Sequence, residues 1–192
     1  MEYLKNIYEY LSQYCEISME DLMPLLGNLK EEELKAEEVL FSDGESYKKV
    51  TFVTYGLLKK VYLNADGKEY IKEFVWEGQS STPYASLLMG TPATYTMKAI
   101  EKTKLLTIDY SFIEDLSKKN PKWTEIIKSL ANMHFVNREI REMELLKFSA
   151  LERYLSFKEK YPKLIDRLKR QDIAMYLGIT PTSLSRLDKE LN

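Results

Sequence analysis

The residues best equipped for chemistry lie in "KRQDIAMYLGITPTSLSRLDKELN", positions 169–192. Thr182, Ser183, Ser185, Arg186 and Lys189 share the outward side of a short amphipathic segment. Hydroxyls donate and accept hydrogen bonds at base edges and phosphates. An arginine fork matches O6 and N7 of guanine, and a lysine holds phosphate as a point charge. Arg170 and Thr180, each near the start of a predicted helix, are expected to reach phosphate. This is duplex-DNA recognition chemistry, with no covalent step. Catalysis and metal binding have much less to work with. The chain has one cysteine, Cys15, and one histidine, His134. One thiol makes no internal disulfide and holds no iron–sulfur cluster within a single chain. There is no glycine-rich phosphate loop and no nucleophile elbow. The acids of "VLFSDGES" and "NADGKE" lack the alternating oxygen ligands of a calcium loop and read as hairpin turns. The chain is therefore read as a non-enzyme without cofactor or metal.

The outward groups need a scaffold, and the segment supplies a helix-turn-helix. Ala174 is small where two helices must approach. Gly178 sits where the turn needs a positive φ. Ile173, Leu177, Ile179, Leu184 and Leu187 form the buried faces. Thr180 is a suitable N-cap and Pro181 a suitable first helical residue. The alternative is an ordinary helical hairpin with a solvated polar face. Ahead of it, "SALERYLSFKEKYP" reads as another amphipathic helix, capped by Ser149.

The 192 residues carry a net charge of −2, so the chain as a whole is not a basic nucleic-acid binder. Only the last thirty residues lean positive. No apolar run approaches the ~20 residues that span a bilayer. The N-terminal stretch lacks the layout of a secretion signal, so a cytoplasmic location without membrane contact is expected. Residues 1 to about 35 read as helical, with Leu4, Ile7, Tyr8 and Leu11 on one face and Ser18 capping a second helix. From about 36 to 110 the rhythm changes. Glycines at 44, 56, 67 and 78 punctuate β-prone runs at spacings of 12, 11 and 11. That pattern predicts an antiparallel sandwich or barrel. Asp66-Gly67 suits a type I′ hairpin turn. "YASLLMG" reads as a short helix, and "ATYTMKAIEKTKLLTID" as a further strand pair.

After the Asn120-Pro121 break comes one long helix, to about 148. Trp123, Ile126, Leu130, Met133, Asn137 and Ile140 follow alternating 3- and 4-residue steps, a heptad seam. Either the helix lies on its own β domain or it pairs across a two-fold axis. The second reading is preferred, with Leu130, Met133, Asn137 and Ile140 at the dimer interface. The domains are then 1–120, a sensor; 121–148, a dimerisation helix; and 149–192, the helix-turn-helix. The expected fold class is α+β: an antiparallel β-roll of jelly-roll type with flanking helices, then an all-α helix-turn-helix.

This order resembles the CRP/FNR family of bacterial transcription regulators. The resemblance rests on "RQDIAMYLGITPTSLSRLDKEL", on "LFSDGESYKKVTFVTYGLLKKVYLNADGKEYIKEFVWEG" and on the long helix between. It implies a homodimer, a roll like that of cyclic-nucleotide-binding proteins, promoter DNA as target and RNA polymerase as a further partner. Two departures stand out. Family members that bind cyclic AMP carry a Gly-Glu-Leu-type turn and then an arginine that pairs with the cyclic phosphate. Here the arginine's place holds Ala93, and the glutamate would fall near Pro83. Thr94 remains, but a hydroxyl does not replace a guanidinium's two-pronged grip. Cyclic-nucleotide binding is not carried over. A different effector, of unknown identity, is expected near Tyr84, Ser86, Thr94 and Thr96, or none at all. Second, the sequence stops at Asn192, which leads to the expectation of a truncated winged helix without its β-hairpin. The family's base-reading positions fall here on Pro181, Thr182 and Arg186, of which only the last is kept. The competing function is a β-roll ligand-binding or interaction module that has lost DNA binding.

Overall fold

The computed structural model describes residues 2–191; Met1 and Asn192, which the readings of the two termini include, lie outside them. The chain opens with α1 (Glu2–Leu11) and α2 (Met19–Leu22), followed by a 3-10 turn at Met23–Leu25. Ser18 caps α2 in a capping box with Asp21. Eight strands follow: β1 (Lys30–Leu34), β2 (Val39–Phe41), β3 (Lys49–Tyr55), β4 (Leu57–Leu63), β5 (Glu69–Trp76), β6 (Ser80–Ser81), β7 (Thr96–Ala99) and β8 (Thr103–Asp109). They form two four-stranded antiparallel sheets, ordered β1-β8-β3-β6 and β2-β7-β4-β5. Helix α3 (Tyr84–Met89) sits between β6 and β7, on the stretch read as a short helix.

The strand and turn readings differ from the structure at three places. β1, "KEEEL", falls within the region read as helical. Its acids and lysine are good helix formers, but it lies at a sheet edge and pairs only with β8. Charged residues suit an edge, and Leu34 alone is buried. The β4–β5 turn is not type I′, which needs φ > 0 at both central residues. Asp66 has no positive φ; only Gly67 does, at 76°. Asn64 Oδ1 instead accepts from the Asp66 and Lys68 amides and shapes a longer loop. Finally, β7 and β8 do not pair with each other but enter different sheets.

Gly56 is where the roll closes most tightly. Its φ is +95°, and a Cβ there would stand 2.6 Å from the Lys102 carbonyl oxygen and 2.7 Å from Thr103 Cα. The roll's inner core holds Leu34, Phe41, Val53, Leu58, Met97 and Leu105.

After β8 come α4 (Tyr110–Lys119) and α5 (Pro121–Lys147). Asn120 ends the first and caps the second, accepting from the Lys122 amide, and Pro121 is the first residue of α5. Trp123 and Ile126 anchor α5 in a second cluster with Leu4, Ile7, Leu22 and Ile113. The C-terminal unit holds α6 (Ala150–Lys160), α7 (Arg170–Leu177) and α8 (Pro181–Leu191). Ser149 caps α6 in a capping box with Glu152. A third cluster joins this unit to the roll: Phe157, Tyr176 and Leu184 pack with Leu57, Val61 and Phe74.

Candidate functional site

Helix α8 is built to present one face. Thr180 Oγ1 accepts from the Ser183 amide at 3.1 Å, which satisfies an otherwise unpaired donor of the first turn. Gly178 ends α7 at φ +70°, the left-handed region that favours glycine. Ala174 is fully buried where α7 meets α8. Leu184 is the buried anchor of α8, and Thr182, Ser185, Arg186 and Lys189 are exposed; Ser183 is half-buried. The structure thus brings these side chains onto one accessible helix.

Arg170 is differently placed. It is ion-paired to Asp188 of α8, which also accepts from the Tyr154 hydroxyl at 2.6 Å. Burial works against the Asp188 charge, but the Tyr154 hydroxyl and Arg170 overcome it and hold its pKa below the ordinary value. Arg170 therefore ties α7 to α8, a task its position in the sequence did not reveal.

Helix α7 is clamped to the roll. Lys59 Nζ of β4 meets Asp172 Oδ1 at 2.7 Å, with both side chains at most 6% exposed. Around this pair, Arg167 grips Glu77 with two nitrogens at 2.8 and 2.9 Å and also reaches Glu101. Lys169 meets Glu37 at 2.8 Å. The Tyr176 ring stacks on Phe74 at 5.4 Å, and Arg141 of α5 lies over the same ring, 4.0 Å from its centre, while donating to the Tyr176 carbonyl. Sequence reasoning missed the clamp. Neither lysine of β4 belongs to any local motif, and the acid that pairs with Lys59 is 113 positions away.

A cavity of about 570 Å3 opens between the roll, α5 and α7. Tyr84, Ser86 and Thr94 line it, as read from the sequence. Thr96 does not; its hydroxyl accepts from the Asp43 amide at 3.1 Å and serves the β2 turn. Ala93 is buried in the roll core rather than on the cavity wall. The cations lie elsewhere. Lys60 is buried and paired with Glu73 at 2.6 Å. Burial opposes both charges, but each partner outweighs it, so the lysine pKa is raised and the glutamate's lowered. Lys72, Arg138, Arg141 and Lys160 complete the positive wall. His134 also lines it, with a pKa lowered mainly by burial and held up in part by Glu73. It is a neutral hydrogen-bonding group at pH 7. Trp123 Nε1 is buried without a hydrogen-bond partner among the described residues.

On α5, Leu130 and Met133 pack onto the chain's own second cluster. Asn137 is exposed and donates to Met133 Sδ, and Ile140 is 40% exposed. Phe135, Val136, Leu145 and Leu146 are apolar and exposed on the same helix.

Residues 31–120 match the family described as cyclic nucleotide-binding domain. Over 165 aligned residues the chain is 26% identical to the anaerobic regulatory protein of Haemophilus influenzae, covering 80% of this chain and 63% of that one. The chain is thus similar to a transcription-regulator type of protein, with a cyclic nucleotide-binding roll at its centre. The homologous protein of Pasteurella multocida is also 26% identical, over 80% of this chain and 60% of its own. The chain spans about three-fifths of the length of these curated relatives. Among solved structures, FixK2 from Bradyrhizobium japonicum superposes with a TM-score of 0.77 at 20% identity, covering 85% of this chain and 84% of that one. The c-di-GMP responsive regulator CLP of Xanthomonas campestris gives 0.76 at 13% identity, covering 91% of each. The fold shared with these two structures thus extends through both the roll and the C-terminal helices. No helix among the described residues is long and apolar enough to cross a membrane.

Proposed function

We propose that this chain is a sequence-specific, DNA-binding transcription regulator that acts as a homodimer. In this reading it divides into a sensor at 1–120, a dimer helix at 121–148 and a reader at 149–192. The observation that carries it is α8: capped by Thr180, anchored by Leu184, and exposing Thr182, Ser185, Arg186 and Lys189 to solvent. Arg186 is the guanine reader, and Lys189 with the Thr180 end of α8 holds phosphate. The exposed apolar face of α5 supports the dimer. With Leu130 and Met133 turned inward, Asn137 and Ile140 join Phe135 and Val136 as the residues left for a second copy. Two readers on a two-fold axis require half-sites roughly 34–36 Å apart. The cavity takes a small effector rather than cyclic AMP, because Ala93 carries no phosphate-pairing charge and lies in the roll core.

The test is selection from a random duplex pool with the full chain, alongside sedimentation at tens of micromolar. A near-palindromic enriched site and a dimer are expected. A monomer contradicts the two-fold arrangement. An unenriched pool favours the competing reading, a β-roll module without DNA binding.

A further inference from the structure

The cavity changes character along its length, and α5 records the change. Lining residues on this helix run from Trp123 to Arg141. At 1.5 Å per residue that is about 27 Å of wall. Its first half contributes Trp123, Ile126, Ile127 and Leu130. The facing elements contribute Leu11, Val50, Phe52 and Ile113, all members of the same apolar cluster. The second half contributes His134, Asn137, Arg138 and Arg141 beside one apolar ring, Phe135, with Lys72 from β5.

The charges on that second half are not balanced. Lys60 is neutralised by Glu73. Arg141 has Glu144 at 3.8 Å and the Tyr176 carbonyl. Neither Lys72 nor Arg138 is given an acidic partner by any ion pair among the described residues. Lys72 lies over the Tyr62 and Tyr95 rings, 5.4 and 5.0 Å from their centres, a position that holds the ammonium without discharging it. His134 stays neutral and adds a hydrogen bond, not a charge.

We propose that the ligand of this cavity is a small amphipathic carboxylate, with its apolar body along the Trp123–Leu130 half and its single negative charge between Lys72 and Arg138. This rests on the reading of the cavity as an effector site, and it names the ligand class for that site. A monoanion fits better than a phosphate ester. The surroundings are largely apolar, and a second negative charge adds to the desolvation cost. A cavity of this size accommodates a ligand of drug-like dimensions. The binding also has a route to the DNA reader. Arg141 lines the cavity and holds Tyr176 of α7, whose ring lines it too. Occupancy therefore shifts the docking of α7, and DNA binding must in turn shift ligand affinity by the same factor.

The experiment is calorimetry on the full chain with octanoate, 4-phenylbutyrate, octanol, octylamine and cyclic AMP. One or both carboxylates are expected to bind at least tenfold more tightly than octanol, and octylamine and cyclic AMP not at all. Arg138→Gln and Lys72→Gln are each expected to weaken the carboxylate by about tenfold or more and to leave octanol unchanged. Arg138 is exposed, so its replacement does not threaten folding; circular dichroism of both variants checks this. Equal binding of octanol, or carboxylate binding indifferent to both substitutions, overturns the assignment of the charge. Binding of octylamine or cyclic AMP in the carboxylate's place overturns the ligand class but keeps the cavity as an effector site. If none of the five binds, the effector-site reading falls with it.

Discussion

Of the eight residues of α7, Asp172, Ile173, Ala174, Tyr176 and Leu177 are buried; of the eleven of α8, only Leu184 is. The two helices are joined through Gly178 and share one core, yet they face opposite ways. Helix α7 turns inward and binds the roll through Lys59–Asp172, and the segment just ahead of it adds Arg167–Glu77 and Lys169–Glu37. Helix α8 turns outward and carries the exposed hydroxyls and cations. In the proposed function, a reader must be free to meet DNA, but its position relative to a second reader must be fixed. The division between α7 and α8 meets both demands: one helix sets position and the other is available for contact.

The largest test of this division is the buried pair. Asp172→Ala leaves the Lys59 ammonium uncompensated at 6% exposure. Breaking a buried pair from one side costs about 3–5 kcal/mol. Urea denaturation is expected to show a loss of that order. Replacing both partners, Lys59→Met with Asp172→Leu, is expected to recover most of it, because no orphan charge remains. If the double variant is as unstable as the single one, packing rather than charge fixes α7 to the roll.

DNA binding should respond in the reverse pattern. Arg186→Ala is expected to cost about 1–3 kcal/mol of DNA affinity and to relax selection at one position per half-site. Lys189→Ala is expected to weaken all sequences alike and to flatten the dependence on salt. Neither should move the urea midpoint appreciably, since both side chains are exposed. A stability loss in Arg186→Ala comparable to that of Asp172→Ala would erase the distinction between the two helices.

How much of this was legible depended on the range of the interactions. Local devices were readable. The caps at Ser18, Ser149 and Thr180 work through bonds three residues away, and they form as the spacing indicates. The glycine-punctuated strands and the turn at Gly178 are of the same kind. Long-range pairings were not readable. β1 reads as helix because its pairing with β8, about 75 residues on, overrides the propensity of "KEEEL". The Lys59–Asp172 clamp spans 113 positions. At the site, Tyr84, Ser86 and Thr94 line the cavity, while Thr96 is taken by a turn. The cavity's cations on α5, Arg138 and Arg141, meet it only through the packing of that helix on the roll, which no local pattern shows.

A smaller effect tests whether α8 needs its own support. Thr180→Ala removes the acceptor for the Ser183 amide. Loss of such a cap costs about 1 kcal/mol. Hydrogen exchange is expected to quicken in the first turn of α8 while α7 keeps its protection, because the roll holds α7 independently. Equal loosening of both helices would mean that they act as a single unit.

The smallest expected effect lies at the rim of the clamp, where Glu37 bridges Lys169 of the C-terminal unit and Lys98 of the roll, each at 2.8 Å. The hydrogen bonds from Lys169 and then Lys98 lower the Glu37 pKa from an ordinary 4.5 to about 2. A carboxylate with a depressed folded-state pKa contributes stability that is fully present above its unfolded value and is lost as pH falls through the folded one. The contribution should therefore hold from neutrality down to about pH 5 and fade toward pH 2. It should also be modest, since Lys169 is 67% exposed and Glu37 44% exposed, where water and salt screen the pair. Comparing urea midpoints of the wild type and Lys169→Ala from pH 7 to pH 2 isolates it. The gap between the two is expected to be small, constant above pH 5 and closed near pH 2, and to shrink in high salt. A gap that survives at pH 2 means that Lys169 acts through its hydrocarbon stem; one as large as that of Asp172→Ala means that the clamp is anchored at its rim rather than at the buried pair.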